Sequence, residues 1–257
     1  REAVERFRQP QFVKEAIRMF WRRKQKKRQE PCCSAVVVAA GSSTRMGMDK
    51  LMLPLDETPV IVYTLRAVQA APSVGEIILV TREDLIVPMS QLCQDYAISK
   101  VAKVVRGGAS RTQSVRLGTL EVSGDAQVIA IHDGARPFVS AEVIERAVAQ
   151  AMETGAAAPA VPVKDTIKVA HDGVVESTPD RACLFAVQTP QVFESSLIKA
   201  ALQKALDDGL ELTDDCAAVE RLGMKVALTR GDERNIKLTT PEDLAVAQAI
   251  LELEGAV

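Results

Sequence analysis

The chain has 257 residues, 47% of them apolar, with 32 Lys/Arg against 34 Asp/Glu. That is enough for one large domain with a full core. No apolar run nears the roughly 20 residues that span a bilayer, and the amino end lacks the apolar core of a signal peptide. The five cysteines, Cys32, Cys33, Cys93, Cys183 and Cys216, are odd in number and form no Cys-x-x-Cys pair. They suggest neither a disulfide framework nor a zinc site and fit a reducing, cytoplasmic setting. The charge is unevenly spread: residues 1–30 carry eleven Lys/Arg and four Glu, which leaves the remainder near −9 of the total −2. An acidic body argues against a general nucleic-acid partner.

Residues 1–31 read as a basic, helical or disordered extension. Phe12, Val13, Ala16, Ile17 and Phe20 share one helical stripe ahead of a cationic run from Arg22 to Arg28, and Pro31 closes the segment. Residues 32–257 read as the folded domain. It starts with a β-branched run at 34–39 of the kind that makes a buried strand. Further strands are predicted at 76–81, 101–106, 128–132 and 157–163, with helices over 58–71, 83–97, 110–121 and 140–154 between them. This alternation predicts an α/β fold, a mostly parallel sheet covered by helices on both faces, with its ligand at the carboxyl ends of the strands. After Val163 the pattern breaks. Residues 166–170 and 174–177 flank an Asp-Gly turn and read as a hairpin, the core of a projecting arm over about 164–187. Helices at 194–208, 213–222 and 241–254 and a strand at 225–229 complete the chain.

Four groups of residues carry candidate chemistry. The first is Ala39-Ala-Gly-Ser-Ser-Thr-Arg-Met-Gly-Met-Asp-Lys50, directly after the first strand. Its small residues let backbone N–H groups turn toward a phosphate, and Arg45 and Lys50 add positive charge. It matches neither the Walker A pattern nor the dinucleotide fingerprint. Composition alone leaves a solvated surface loop open; the position after a buried strand favours a nucleotide. The second is Gly107-Gly-Ala-Ser-Arg-Thr-Gln-Ser114, where Ser114 can meet a pyrimidine edge or cap a helix. The third is His132-Asp-Gly-Ala-Arg-Pro137: Asp133 can contact ribose or a divalent cation, Arg136 can take a phosphate, and His132 reads as a packed strand residue rather than a base. The fourth is scattered over Lys164–Lys168, Thr178–Arg181, Gln188–Gln191, Thr213–Asp215 and Asn235–Pro241; turns, caps and solvated charge explain these equally well, and Thr213 suits a helix cap.

In order and spacing these motifs resemble the 2-C-methyl-D-erythritol 4-phosphate cytidylyltransferase family over residues 33–254. The resemblance implies a homodimer joined through the β-arm. It also implies Arg45 and Lys50 as transition-state stabilisers, and a CTP site of Ala39, Ala40, Gly41, Ser42, Ser43, Gly108, Ser114, Asp133 and Gly134. The methylerythritol phosphate site would comprise Arg136, Thr166, Arg181, Thr189, Thr213 and Lys237, with Arg181 and Lys237 positioning the attacking phosphate. Mg²⁺ is expected through the CTP phosphates rather than a protein metal site. Two departures stand out: Asp49 occupies a place where the family commonly has Pro, and Gly134 stands in an Asp-Ala-Ala-Arg-Pro pattern. Two alternatives are a related ribitol 5-phosphate cytidylyltransferase and, further off, a purine nucleotidyltransferase. The Asp165–Lys168 run and Ser114 favour the methylerythritol enzyme. A non-enzymatic reading makes the basic extension the functional part; the intact Arg45, Lys50, Asp133 and Lys237 set argues against it.

Overall fold

A computed structural model describes residues 32–41 and 50–255. The basic extension, and with it the helical stripe and the 31/32 boundary, lies outside the described residues, as do Ser42, Ser43 and Arg45 of the first loop.

Strand β1 (Cys33–Ala39) is almost wholly buried. It pairs in parallel with β4 (Val74–Thr81) on one side and β6 (Val128–Asp133) on the other. β5 (Val101–Arg106) joins β4 in parallel and is half-exposed, as an outer strand should be. Beyond β6 the sheet turns antiparallel. β11 (Gln191–Glu194) runs between β6 and β7 (Ala156–Pro162). β10 (Phe185–Val187) pairs antiparallel with the far end of β7, and β12 (Ala227–Arg230) pairs with β7 in parallel. The predicted α/β class is therefore observed, as a mostly parallel sheet with an antiparallel flank.

Helices cover both faces because alternate strand side chains are apolar. Ala35, Val37, Ile77 and Leu79 pack with α1 (Val60–Ala70), α2 (Ile86–Asp95), α4 (Ala141–Thr154) and the partly buried apolar side of α7 (Pro241–Gly255). Val36, Ile78, Ile129 and Phe193 face the other way. They pack with α3 (Arg111–Glu121), α5 (Ser195–Asp207) and α6 (Asp215–Arg221). Burying both faces of β1 is what permits its uninterrupted Val-Val-Val run.

Several boundaries differ from the sequence reading. The helix predicted from residue 58 begins at Val60, because β2 (Pro54–Leu55) and β3 (Thr58–Pro59) form a small hairpin. Its turn residues Asp56 and Glu57 have φ of 49° and 63°, a geometry that their side chains do not advertise. The helix predicted over 83–97 is a 3₁₀ turn, Glu83–Leu85, followed by α2. β10 and β11 were not anticipated: each is three or four residues long, and Pro190 separates them. Phe185–Val187, the end of the segment read as the arm, pairs into the main sheet. The predicted hairpin is present as β8 (Val169–His171) and β9 (Val174–Ser177), a separate two-stranded sheet with every residue exposed. Asp172 and Gly173, at φ of 50° and 78°, supply its two-residue turn, a conformation glycine enters without a steric penalty.

Candidate active site

The parallel register brings three of the sequence motifs to one edge. Ala39 lies beside Thr81, Thr81 beside Arg106, and Val38 beside Asp133, so the loops after β1, β5 and β6 leave the sheet together. Gly107 donates its N–H to Thr81 O at 2.7 Å. A Cβ built on Gly107 would lie 2.5 Å from Ala40 Cβ and 2.8 Å from Ser114 Oγ, so only glycine lets the first and second loops approach this closely. Ser114 Oγ accepts from Gly108 N at 3.1 Å and donates to Ser110 O at 2.9 Å. Its hydroxyl thus shapes the loop, and Ser110, whose Oγ accepts from Gln113 N, is the residue that caps α3. Ala39 is buried and Gly41 exposed. Gly134 is anchored on both sides: its N–H donates to Val38 O at 2.9 Å and its carbonyl accepts from Thr64 Oγ1 at 2.8 Å. Lys50 is half-buried and precedes Leu51, whose carbonyl accepts from Ile61 N at the start of α1.

Asp133, at the end of β6, is the centre of charge. Its Oδ2 meets Lys237 Nζ at 2.8 Å and lies 3.9 Å from Arg136 Nε; its Oδ1 accepts from Arg111 at 3.4 Å. Burial alone would push this carboxyl up, but Lys237, Arg111 and Arg136 outweigh it and hold it down at about 2. Arg111 in turn forks onto Asp215 at 3.0 and 2.7 Å. Burial of Asp215 pushes its carboxyl up, and the guanidinium offsets much of that cost. Arg111, Arg136 and Lys237 thus converge on the single carboxylate of Asp133, a concentration of cations that suits a polyanion although the chain is acidic overall.

The loop 235–238 is stitched onto the third motif. Arg136 donates to Asn235 O at 2.6 Å, Leu238 N donates to Ala135 O at 2.9 Å, and Asn235 Nδ2 donates to Thr189 O at 2.9 Å. Thr189 Oγ1 accepts from Asp133 N at 3.1 Å and lies 2.9 Å from His132 Nδ1. With that hydroxyl donating, the His132 Nε2–H faces Arg136 O at 3.2 Å. His132 is fully buried, and burial pulls its imidazole down to about 4. It is a neutral structural residue, as its place in a strand suggested.

Asp133, Arg136, Thr189 and Lys237 are thus brought together from three separate stretches of chain. Thr166 and Arg181 are not part of this cluster: both are exposed on the arm segment, where Arg181 donates to Lys164 O at 2.9 Å. Lys164 pairs with Glu233, which ties the base of the arm to the loop leading to Lys237. Thr213 is exposed just ahead of α6, but the cap is Asp214, which accepts from Ala217 N at 3.0 Å; the capping role suggested for Thr213 belongs to its neighbour. Sequence reasoning assigned no role to Arg111, Asp215, Gln191 or Asn235, although all four sit in motifs it singled out. The Gly107–Ser114 and Thr213–Asp215 stretches held the signal, an arginine and a carboxylate, without showing that they meet.

The IspD family model, 2-C-methyl-D-erythritol 4-phosphate cytidylyltransferase, matches residues 33–253. A 2-C-methyl-D-erythritol 4-phosphate cytidylyltransferase of Caldanaerobacter subterraneus subsp. tengcongensis is 47% identical over 219 residues, covering 82% of this chain and 95% of that protein. The Bacillus licheniformis protein of the same name is 44% identical over 214 residues, covering 83% and 92%. Among solved structures, the 4-diphosphocytidyl-2C-methyl-D-erythritol synthase of Anaerococcus prevotii superposes with a TM-score of 0.78 at 32% identity, over 86% of this chain and 96% of that one. The Thermus thermophilus 2-C-methyl-D-erythritol 4-phosphate cytidylyltransferase follows at 0.71 and 29%, over 84% and 98%. A match that spans the sheet, the charged edge and the arm leaves one conclusion: the chain belongs to the 2-C-methyl-D-erythritol 4-phosphate cytidylyltransferase family.

Proposed function

We propose that this chain transfers CMP from CTP to 2-C-methyl-D-erythritol 4-phosphate, giving 4-diphosphocytidyl-2-C-methyl-D-erythritol and pyrophosphate, a step toward isoprenoid precursors that bypasses mevalonate. The observation that carries this reading is the convergence of Arg111, Arg136 and Lys237 on Asp133 at the carboxyl ends of the parallel strands.

The chemistry needs positioning more than proton transfer. A phosphate monoester has its second pKa near about 6, so its oxygen is already anionic at neutral pH. It attacks the α-phosphorus of CTP; the new P–O bond forms as the bond to the β-phosphate bridging oxygen breaks, and pyrophosphate leaves with the electron pair. The neutral, walled-in His132 is consistent with a reaction that needs no general base. What the protein supplies is charge and alignment of two anions. In this reading Arg45 and Lys50 stabilise the transition state, Lys237 and Arg181 position the attacking phosphate, and Thr166, Thr189, Thr213 and Arg136 hold the polyol phosphate. Ala39, Ala40, Gly41, Ser42, Ser43, Gly108, Ser114, Asp133 and Gly134 hold CTP.

Mg²⁺ fits as an ion brought with the triphosphate. Asp133 is the carboxylate nearest the proposed phosphates, but both its oxygens are already taken by Arg111 and Lys237, so the triphosphate itself would supply most of the ion's ligands. When bound, the ion neutralises phosphate charge.

A homodimer joined through the arm is part of the proposal. Val169, Val174 and Val175 of the hairpin and Phe185 and Val187 of β10 are exposed apolar side chains, and a two-stranded hairpin is marginal by itself in water. A cytoplasmic setting is part of the proposal, resting on the odd number of cysteines and their lack of a Cys-x-x-Cys pair.

The deciding experiment incubates purified protein with Mg²⁺, CTP and either 2-C-methyl-D-erythritol 4-phosphate or ribitol 5-phosphate, following pyrophosphate release. Turnover is expected with the first and little with the second; equal or faster turnover of the ribitol compound overturns the assignment.

A further inference from the structure

Arg111 is the first residue of α3, immediately after the Gly107–Ser110 loop. Its guanidinium makes the planar two-point contact that suits a carboxylate: NH1 donates to Asp215 Oδ1 at 3.0 Å and NH2 to Asp215 Oδ2 at 2.7 Å. NH2 also reaches Asp133 Oδ1 at 3.4 Å. Asp215 is only 1% exposed, and its backbone N–H is itself held by Gln191 Oε1 at 2.9 Å. Both of its carboxylate oxygens are therefore committed to Arg111, and the fork cannot swing without leaving a buried charge unpaired. The Arg111 side chain nevertheless keeps 29% of its surface accessible. It stands at the open edge of the site, not in the core.

The two oxygens of Asp133 are claimed from opposite sides, Oδ1 by Arg111 and Oδ2 by Lys237. Lys237 is a flexible ammonium on a four-carbon stem that is 40% exposed, and it can re-aim when a second anion arrives. Arg111 cannot, because Asp215 clamps it. Arg136 is held by Asn235 O, but its Nε stands 3.9 Å from Oδ2, too far for a hydrogen bond, so the lasting hydrogen-bonded constraint on the rotation of the Asp133 carboxylate is Arg111. The same residue joins the loop after β5, which carries Gly107 and Gly108, to the loop after β6, which begins at Asp133.

We propose that Arg111, clamped by Asp215, is a positioning residue for the nucleotide: it fixes the Asp133 carboxylate and ties together the two loops between which CTP is held. This rests on the cytidylyltransferase reading and adds to it a residue pair and a substrate half. The pair serves CTP directly and reaches the polyol phosphate only through Asp133 and the Lys237 that pairs with it.

The single variant Arg111→Leu strands a buried carboxylate and is expected to lose stability, so the test uses the pair. In Arg111→Leu/Asp215→Leu both charges go together, which buried pairs commonly tolerate. Three quantities are measured on wild type and double variant: the thermal midpoint, the dissociation constant for CTP by calorimetry without polyol phosphate, and the KM for each substrate. The expected result is a near-normal midpoint, CTP binding weakened about 10-fold or more, and a KM that rises more for CTP than for the polyol phosphate, which the pair reaches only through Asp133 and Lys237. A folded double variant that binds CTP as wild type does overturns the proposal and reduces the pair to scaffolding. If the double variant does not fold, Arg111→Lys decides. Its single ammonium cannot span two carboxylates, so CTP binding should still weaken, and wild-type binding in that folded variant overturns the proposal equally. Failure of the wild-type chain itself to bind CTP would strike the cytidylyltransferase reading first, and this inference with it.

Discussion

His132 shows how a single buried side chain sets a pH dependence. It lies between Thr189 Oγ1 and Arg136 O, fully buried and neutral, with its pKa drawn down to about 4 by burial. In the unfolded chain a histidine takes up its proton near about 6.5. The stabilisation from keeping the ring neutral is therefore complete above that pH and is lost as pH falls from about 6.5 toward 4. A shift of this size is worth about 3 kcal/mol. Asp133 acts in a separate window: held low by Lys237, Arg111 and Arg136 against the burial that opposes them, it favours the folded state until pH drops below the ordinary carboxylate range toward about 2. Urea unfolding at steps between pH 8 and 4.5 should show stability falling in wild type. In His132→Gln, whose amide can accept from Thr189 and donate to Arg136 O, the decline should shrink by about 2 kcal/mol. An identical decline in both proteins would assign the acid sensitivity elsewhere.

At the scale of elements, the β8–β9 hairpin and the turn that carries Arg181 differ from everything else in the domain. The hairpin strands are fully exposed, and the base is tied down by the Lys164–Glu233 pair and the Arg181 bond to Lys164 O. Thr166 and Arg181 stand apart from the cluster around Asp133, so a site that needs both sets in one place is completed most simply by the arm of a second copy. Arg181→Ala and Lys50→Ala would then damage different halves of one composite site. Each variant alone should be nearly inactive. Mixed and allowed to exchange subunits, they should recover a fraction of wild-type activity, because one site of a mixed dimer has both side chains intact. No recovery despite exchange proven by labelled subunits would mean that each chain builds its own site.

At the scale of the whole molecule, the chain joins a strongly basic segment of about thirty residues to an acidic body. The matched family region, residues 33–253, excludes that segment, and the strand, loop and cluster described above all lie beyond it. Deleting residues 1–31 should leave kcat and both KM values within about twofold of the full chain, measured on a truncated protein shown to be folded by its thermal midpoint. A folded truncation without activity would place the extension inside the site.

The sequence by itself determined what local pattern can encode. A buried Val-Val-Val strand, small-residue loops directly after strands and alternating helices made a mostly parallel nucleotide-binding sheet legible, and Asp172-Gly173 marked the tip of the hairpin. Short elements escaped. β10 and β11 hold three and four residues, too few to show a period, and exist because β6 and β7 offer them hydrogen bonds. The turn at Asp56 and Glu57 has the dihedrals of a glycine turn without the glycine. The charged edge was the least visible feature. Arg111 and Asp215 are 104 residues apart, and Arg136 and Asn235 are 99 apart. Sequence could name residue types able to hold an anion. Only the tertiary structure decided which carboxylate meets which cation, because the strength and even the direction of an electrostatic effect depend on distance and burial, and both are set by folding.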